Sequence, residues 1–373
     1  MSKRWLLGIS LTVILSMLLM VGAAFGQQPT GEFEVVRKAV EGYLTSGKPP
    51  VMDAKDLYQI LHDGDPANDP FIVDVRKPED YAKGRIAGAI NILWKDIWKP
   101  ENLAKLPKDK KIVAYCYSGH TAGIVATVLN LLGYDAINLR FGIMGWTKKD
   151  EVVGAPRFDP ATQPDYPVSV EPKEAQPVHE FPVVSTGKVK EAEIVYEVIK
   201  AYLTSGKPPV MDAKDLYQIL HDGDPANDPF IVDVRKPEDY AKGHIAGAIN
   251  ILWKDIWKPE NLAKLPKDKK IVAYCYSGHT AGIVATVLNL LGYDAINLRF
   301  GIMGWTKKDE VVGAPRFDPA TQPDYPVETV APPTLPVTGG EGSSLVPAIL
   351  IAFGGISLAA GIGGLFILRR RTR

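Results

Sequence analysis

Apolar residues follow two periods along the chain, and together they predict alternating helices and strands. The segment 54–62 has one apolar helical face, and Asp53 precedes it as a candidate N-cap. A second helix is predicted over 121–132, where Gly133 ends it. Short apolar runs predict four strands, at 71–75, within 86–92, at 112–115 and at 136–139. Strands separated by helices indicate parallel βαβ units, so we predict an α/β fold with a parallel sheet covered by helices on both faces.

The whole pattern occurs twice. Residues 43–168 recur as 202–327, and the only difference is Arg85 in the first copy against His244 in the second. A unit of this length is a domain rather than a solenoid repeat. The near-identity indicates a recent duplication, so agreement between the copies is not independent evidence for the importance of any residue. The repeat therefore predicts two tandem domains, at 30–168 and 189–327, joined by a Pro-rich linker at 169–188.

Each predicted domain ends in a stretch rich in proline, at 154–167 and 313–326. These stretches show no apolar periodicity, and their composition favours an extended strap or spacer.

The two ends of the chain have the patterns of targeting segments. Residues 1–26 have Lys3 and Arg4, then an apolar run, then small residues at positions 24 and 26, as in a signal peptide. We predict export with Gln27 as the mature N-terminus; an uncleaved membrane anchor is the alternative.

At the other end, a Pro/Gly-rich spacer at 328–344 contains the motif LPVTG at 335–339. An apolar segment at 345–368, long enough to span a bilayer, and a basic tail at 369–373 follow it. This order resembles a sortase sorting signal, which implies a sortase-like transpeptidase and the cell wall as partners. The alternative is an ordinary transmembrane anchor with a cytoplasmic tail. Both place the domains outside the cytoplasm, attached to the cell wall or to the membrane.

Composition narrows the classes of function. The full chain has 43 basic and 43 acidic residues, and the part between the predicted cleavage points, 27–338, has 37 and 42. This mildly acidic balance gives no reason to expect a nucleic-acid partner. Two cysteines are too few for a disulfide framework or a four-cysteine zinc site, and the six histidines show no metal spacing. We predict no metal.

The candidate chemistry lies in a six-residue loop between a predicted strand and a predicted helix. Such a loop is at the carboxyl end of the sheet, where open α/β folds bind ligands. Backbone N–H groups and a helix N-terminus directed at one point stabilise an anion there, and a cysteine thiolate is such an anion. The loop residues are Cys116, Tyr117, Ser118, Gly119, His120 and Thr121 in the first copy, and Cys275, Tyr276, Ser277, Gly278, His279 and Thr280 in the second.

At this point the sequence resembles the rhodanese family, a sulfurtransferase module. The resemblance rests on the loop and on three further motifs in the family's order, which are Asp74-Val75-Arg76, the segment 80–91 and the segment 138–146. The second copy, with Gly243-His244-Ile245, is closer to the family pattern than the first. Phe141 stands where the family often has glycine.

The resemblance implies a two-step sulfur relay in each domain, with no cofactor. Cys116 and Cys275 are the expected nucleophiles, and each takes a sulfur atom from a small anionic donor such as thiosulfate or polysulfide. The resulting persulfide gives that atom to a thiol or to cyanide. The remaining loop residues are the expected substrate-binding groups. Both copies keep the cysteine, so we predict two working sites.

Some positions leave more than one interpretation open. Many single-domain rhodaneses have arginine where Thr121 and Thr280 stand, so donor preference is open. His120 and His279 are interpreted either as a cation or leaving-group polariser near the mouth, or as solvent-facing residues without a role. Arg85 and His244 are either entrance residues or neutral surface variation. Structural support of the loop is predicted for two ion pairs, Asp74 with Arg76 and Asp233 with Arg235.

Three alternatives compete with a sulfurtransferase. A cysteine phosphatase requires an arginine in a longer loop, and Ala122 and Gly123 follow Thr121 instead. A disulfide between Cys116 and Cys275 is awkward because each is expected at the bottom of its own loop. The alternative that remains is a non-catalytic sulfur- or thiol-binding, or redox-sensing, surface module.

Overall fold

The computed structural model describes residues 31–173 and 177–329. The predicted signal peptide, the LPVTG motif, the apolar segment at 345–368 and the basic tail lie outside the described residues. Among the helices that are described, none is both long enough and apolar enough to cross a membrane.

Each repeat folds into helices joined to five short strands. The first repeat contains α1 Gly31–Leu44, β1 Val51–Met52, α2 Ala54–Ile60, β2 Phe71–Asp74, α3 Pro78–Lys83, β3 Ile90–Asn91, α4 Pro100–Leu103, β4 Lys111–Tyr115, α5 His120–Leu131, β5 Asp135–Leu139 and α6 Asp150–Val153. Two 3-10 helices, Trp94–Asp96 and Gly142–Gly145, complete it.

The second repeat has the same elements in the same order. They are α7 Glu191–Thr204, β6 Val210–Met211, α8 Ala213–Ile219, β7 Phe230–Asp233, α9 Pro237–Lys242, β8 Ile249–Asn250, α10 Pro259–Leu262, β9 Lys270–Tyr274, α11 His279–Leu290, β10 Asp294–Leu298 and α12 Asp309–Val312, with 3-10 helices at Trp253–Asp255 and Gly301–Gly304.

Each repeat has one parallel sheet, in the order β1-β5-β4-β2-β3 and β6-β10-β9-β7-β8. Alternate residues of the central strand β4 face opposite sides: Ile112 and Ala114 pack in one apolar cluster, and Val113 and Tyr115 pack in the other. Helices cover both faces, so the predicted α/β fold is confirmed. The cysteine loop follows the central strand.

Two local predictions need correction. The sequence predicts four strands, whereas the sheet has a fifth, β1, whose two residues do not belong to an apolar run like those that predict the other strands. Asp53 stands at the N-cap position of α2, but its side chain makes no capping hydrogen bond. Its carboxylate instead forms an ion pair with Arg140, at 2.7 Å. The partner is far along the sequence, so local pattern gave no sign of it.

The two domains share their apolar interior. One buried cluster contains Val36 and Val40 of α1 together with Ile194 and Ile199 of α7. Helix α5 packs against α11 in the same region. Because the apolar faces of the two domains pack against each other and are shielded from water, the hydrophobic effect as well as the linker holds the domains together.

The Pro-rich stretches cross to the opposite domain. We call residues 158–170 the first strap and 317–329 the second strap. Tyr166 of the first strap donates its N–H to the Trp305 carbonyl oxygen at 2.9 Å, and its ring stacks on Tyr217 at 4.0 Å. Tyr325 of the second strap makes the equivalent hydrogen bond to Trp146 at 2.9 Å. Each strap therefore packs on the domain to which its own sequence repeat does not belong.

Further hydrogen bonds hold the straps. The indole of Trp305 donates to the carbonyl oxygen of Pro167 at 2.9 Å, and the Thr306 hydroxyl donates to Asp165 at 2.8 Å. The Thr147 hydroxyl makes the equivalent hydrogen bond to an aspartate of the second strap. The side chain of Phe317, at the start of this strap, is fully buried. An extended spacer would not make these hydrogen bonds to the opposite domain, so of the two predicted alternatives the segments are straps.

The one position at which the repeats differ lies beneath the straps. His244 is fully buried, its backbone pairs with Ser169, and its ring nitrogens lie 3.0 and 2.9 Å from the carbonyl oxygens of Tyr240 and Glu171. Arg85 makes the same backbone pairing with Glu328. His244 is buried and Arg85 is half-buried at this position, and neither lines a cysteine cavity, so the predicted locations at the entrance or on the open surface are wrong.

Removal of the Phe317 ring tests whether the packing of the second strap stabilises the protein. We expect Phe317→Ala to lower the free energy of unfolding by about 3–5 kcal/mol, since it leaves a cavity between strap and domain. Urea denaturation measures the change. Val183→Ala is the matched control because Val183 is exposed, with 90% of its surface accessible. Equal, small effects of the two substitutions would contradict the structural importance of the strap.

Candidate active site

The sulfur atom of Cys116 is held at the start of a helix. Cys116 directly follows β4 and is buried, and its Sγ accepts a hydrogen bond from the Gly119 N–H at 3.1 Å. Cys275 has the same position after β9, with the Gly278 N–H at 3.1 Å. Both cysteines are free. An N–H directed at sulfur beside a helix N-terminus stabilises the thiolate form that nucleophilic chemistry requires.

Gly119 gives the loop its return. Its φ of 85° lies in the left-handed region, which glycine adopts without strain and which brings its N–H back toward Sγ. Asn138 of β5 fixes the turn by donating from Nδ2 to the Gly119 carbonyl oxygen at 2.8 Å. The neighbouring strand thus positions the donor that contacts the sulfur.

A second loop holds the first from behind. Ile143 donates its N–H to the Cys116 carbonyl oxygen at 2.9 Å, and Met144 donates to the Tyr117 carbonyl oxygen at 3.0 Å. Gly142 makes this approach possible, since a Cβ at that position would overlap the Cys116 carbonyl. Motif reading placed this segment at the end of the domain but did not assign it to the site.

Tyr117 is fixed by two hydrogen bonds. Its hydroxyl donates to Asp80 at 2.7 Å and accepts from the Lys77 N–H at 3.3 Å. Burial, together with the hydrogen bond to Asp80, raises the pKa of Tyr117 well above its ordinary value. Tyr117 therefore remains neutral and acts as a rigid part of the wall. Tyr276 makes the same contact with Asp239.

The ion pair of Asp74 with Arg76 is fully buried behind the loop. Arg76 Nη2 lies 2.6 Å from the carboxylate, and the guanidinium also donates to the carbonyl oxygens of Val152 and Gly84 at 2.6 and 2.7 Å. The pair thus joins the end of β2 to α6 and to the segment after α3. Its counterpart in the second domain is Asp233 with Arg235, also at 2.6 Å.

His120 is buried and makes hydrogen bonds on both sides of its ring. Nε2 accepts from the Phe300 N–H of the second domain at 3.2 Å, and Nδ1 lies 2.8 Å from the Ser118 hydroxyl. Because an amide N–H only donates, Nε2 holds the lone pair and Nδ1 carries the proton, which it donates to Ser118. The arrangement therefore specifies the neutral ring.

The contact is reciprocal. His279 Nε2 accepts from the Phe141 N–H of the first domain at 3.1 Å, and the two imidazole rings lie nearly parallel with centroids 6.0 Å apart. Burial, assisted by the charge of Arg299, lowers the pKa of His120 to about 3, and burial likewise lowers that of His279. The expectation of a histidine cation at the mouth, or of a solvent-facing histidine, is wrong because the opposite domain covers both rings.

Phe141 adopts an uncommon backbone conformation at this contact. Its φ of 59° lies in the left-handed region, which glycine adopts without the strain that a larger residue meets. The ring packs edge-on against His279 at 5.0 Å and contacts Phe317 of the second strap at 4.8 Å. Contacts with the opposite domain thus offset the local strain.

The cavity in front of each cysteine is lined by both domains. The Cys116 cavity has a volume of about 210 Å³, and every loop residue of the first domain except Gly119 lines it. The second domain contributes Pro209, Val210, Arg299 and Phe300 to its wall. The Cys275 cavity, of about 140 Å³, receives Pro50, Val51, Arg140 and Phe141 from the first domain.

These contributions from the opposite domain were missed by sequence reasoning. Each lies outside its own cysteine loop in the sequence and takes part only after the domains pack together. No cluster of three or more potential metal-ligating side chains occurs within residues 31–173 and 177–329.

Comparison with known proteins places these features in a family. The sequence model of the rhodanese-like domain family matches residues 53–149 and 212–308. These residues make up more than half of the chain and include both cysteine loops. The chain belongs to the rhodanese family.

Several relatives match the length of one rhodanese domain, among them the following three. A sulfurtransferase of Allochromatium vinosum is 33% identical over 106 residues, which are 28% of this chain and 94% of that protein. The putative sulfurtransferase YtwF of Bacillus subtilis is 37% identical over 76 residues, 20% of this chain and 72% of that protein. A rhodanese-like domain protein from Staphylococcus aureus, of known crystal structure, is 28% identical, with a TM-score of 0.25 over 27% of this chain and 95% of that one.

The buried histidine pair makes the stability of the tandem rhodanese depend on pH. An unfolded histidine has a pKa of about 6.5, so below that pH the unfolded chain binds protons that the folded rings do not accept. We expect the free energy of unfolding to fall by about 2 kcal/mol per histidine between pH 7 and pH 5, with no such loss above pH 7. Urea denaturation at a series of pH values measures this.

The double variant His120→Gln, His279→Gln should have a shallower decline over the same range. The matched control is His62→Gln, His221→Gln, in which two equivalent but exposed histidines are replaced. If the control pair flattened the pH profile as much as the buried pair, the buried histidines would not be its cause.

Proposed function

We propose that this rhodanese is a sulfurtransferase with two sites, one at Cys116 and one at Cys275. The observation that carries the proposal is a buried cysteine whose Sγ accepts a backbone N–H at 3.1 Å, at a helix N-terminus and on the wall of a small cavity. The family and the names of its relatives support the same reaction class. The donor is a small sulfur anion, and the acceptor is a thiol or cyanide.

In the first half-reaction, the Cys116 thiolate attacks the outer sulfur of the donor. With thiosulfate, the bond between Sγ and the outer sulfur forms while the sulfur–sulfur bond of the donor breaks. Sulfite leaves with the electron pair of the broken bond, and the enzyme holds a cysteine persulfide. The Gly119 N–H, which contacts Sγ in the resting site, stabilises the anion on either sulfur.

In the second half-reaction, an acceptor thiolate attacks the outer sulfur of the persulfide. The new bond joins the acceptor to that sulfur, and the electron pair of the broken bond returns to Sγ as a thiolate. Nothing is oxidised or reduced overall, because one sulfur atom moves between two nucleophiles. The cycle therefore needs no cofactor.

The size of the cavities favours small donors. Volumes of about 210 and 140 Å³ accommodate an anion of a few heavy atoms beside the sulfur. Thiosulfate and short polysulfides fit this limit.

The location of the protein is also a proposal. The pattern at 1–26 supports export, and LPVTG followed by an apolar segment and arginines supports attachment to the cell surface. Sulfur transfer would then act on donors and acceptors outside the cytoplasm.

Single-cysteine variants test the sulfur relay. We expect Cys116→Ala and Cys275→Ala each to keep one working site, and the double variant to lose sulfur transfer from thiosulfate to cyanide. Intact-protein mass spectrometry should show one added sulfur atom in each single variant after incubation with thiosulfate, removed again by cyanide. Two added atoms are expected in the unmodified protein, because both sites have the same donor to Sγ.

Several results would decide against this scheme. Full transfer in the double variant would rule out both cysteines. Loss of transfer in only one single variant would exclude two equal sites. A persulfide that forms but is never passed to an acceptor would favour the sulfur-binding or redox-sensing module.

Surface attachment has a direct chemical test. In a host that contains a sortase-like transpeptidase, we expect the mature chain to begin at Gln27 and to be linked to the cell wall through Thr338. Pro336→Ala should abolish the linkage and leave the protein extractable from membranes by detergent. Wild-type protein that detergent alone extracts would indicate an ordinary membrane anchor instead.

A further inference from the structure

The cysteine loops contain no permanently charged cation. Each ends in threonine, and the one ionisable base, His120 or His279, is neutral because it is buried and accepts an N–H at Nε2. One backbone N–H contacts each sulfur. Among the described residues that line each cavity, the domain of the attacking cysteine contributes no lysine or arginine to bind a doubly charged donor such as thiosulfate.

The opposite domain places an arginine at this point. Arg299 follows β10 and lines the Cys116 cavity, and Arg140 follows β5 and lines the Cys275 cavity. Neither arginine lines the cavity of its own domain's cysteine. The exchange is reciprocal, as it is for the histidine contacts.

Two contacts fix each arginine beside the foreign cavity. Phe300, the next residue, donates its N–H to His120 at 3.2 Å, so the Arg299 backbone is tied to the cysteine loop of the first domain. Asp212 lies 3.0 Å from Arg299 Nε. The equivalent contact of Arg140 with Asp53 is 2.7 Å.

The aspartate contact leaves part of the guanidinium for a ligand. A guanidinium has five N–H donors, and Asp212 engages the one at Nε. The Nη groups match a sulfur oxyanion or carboxylate geometrically. Arg299 remains about half exposed, with 43% of its side chain accessible, so an anion in the cavity can reach it. Burial and, after it, the charge of Arg299 lower the pKa of His120, in keeping with the position of Arg299 on the cavity wall.

We propose that each site binds its anionic donor through an arginine of the opposite domain, Arg299 for Cys116 and Arg140 for Cys275. These are specificity-determining residues that provide the charge absent at Thr121 and Thr280. The inference rests on the proposed sulfurtransferase function. It implies that neither domain is a complete site for anions by itself.

Alkylation of the thiols tests the charge without depending on sulfur transfer. Iodoacetate and iodoacetamide modify the same sulfur, but only iodoacetate is anionic. The ratio of their rates therefore reports a cation near the cysteine. The tryptic peptides that contain the two cysteines, 112–140 and 271–299, are identical, so each site is measured in a single-cysteine background.

In the Cys275→Ala background, Arg299→Gln should lower the iodoacetate-to-iodoacetamide ratio at Cys116 by about 5-fold or more, as removal of one nearby charge requires. In the Cys116→Ala background, Arg140→Gln should do the same at Cys275. The conservative Arg299→Lys and Arg140→Lys should retain most of the ratio. High salt should diminish the difference.

The crossed arrangement supplies the matched comparison. Each arginine variant is also measured at the cysteine of its own domain, Arg299→Gln at Cys275 and Arg140→Gln at Cys116. There the substitution removes the same charge, but from a residue that does not line the cavity of that cysteine. Smaller changes there than at the opposite cysteine support the proposal. Equal changes at both cysteines, or a larger change at the cysteine of the same domain, overturn it. Thermal unfolding of each variant shows that the fold persists.

Steady-state kinetics with thiosulfate give the second readout. We expect Arg299→Gln to raise KM at Cys116 by about 10-fold with little change in kcat, because the lost interaction binds the donor before and during attack alike. Absence of persulfide in every protein would refute the sulfurtransferase function, and the alkylation ratios would still decide the role of the arginines. Persulfide formation without the crossed ratio would retain the function and refute the inference.

Discussion

The arrangement of both sites depends on one pair of contacts across the domain interface, the N–H of Phe300 on His120 and the N–H of Phe141 on His279. Each contact joins the segment after the last strand of one domain to the cysteine loop of the other. Because the imidazole nitrogen must accept, each ring is neutral and its remaining proton is directed to Ser118 or Ser277. This pair of contacts thus fixes the tautomer of each histidine and the position of each cysteine loop, and it brings residues of the opposite domain to both cavities.

Other residues adapt to that contact. A Cβ on Gly119 would lie 2.6 Å from His279 Nε2, so glycine is needed both for the left-handed turn and for the approach of the opposite domain. Phe141 adopts the left-handed region because its N–H must point across the interface while its ring packs on His279 and Phe317. The straps then cover the same interface from outside. A local substitution at any of these places acts on two domains at once.

The electrostatics of the sites follow from the same packing. Between the predicted cleavage points the chain is mildly acidic, so its overall charge does not attract an anion. Attraction arises locally, from an amide on sulfur, a helix N-terminus and a cavity wall that includes an arginine of the other domain. The histidines, which invite a role as cations when the loop is read alone, have the opposite role because burial keeps them neutral.

The sequence by itself determined the fold and the position of the candidate nucleophile. Alternating apolar runs and helical faces specify parallel βαβ units, and the order of strand, cysteine, glycine and helix places a nucleophile at the carboxyl end of the sheet, since these are local properties of the chain. The sequence also showed one cysteine in each domain, and the structure shows that both are free. What tertiary structure alone decided is which groups surround that nucleophile. Arg299 lies far along the chain from Cys116. Tyr166 belongs to the first repeat by sequence but packs on the second domain. Such pairings depend on how two apolar faces cover one another, and no local period in a sequence encodes the partner of a face.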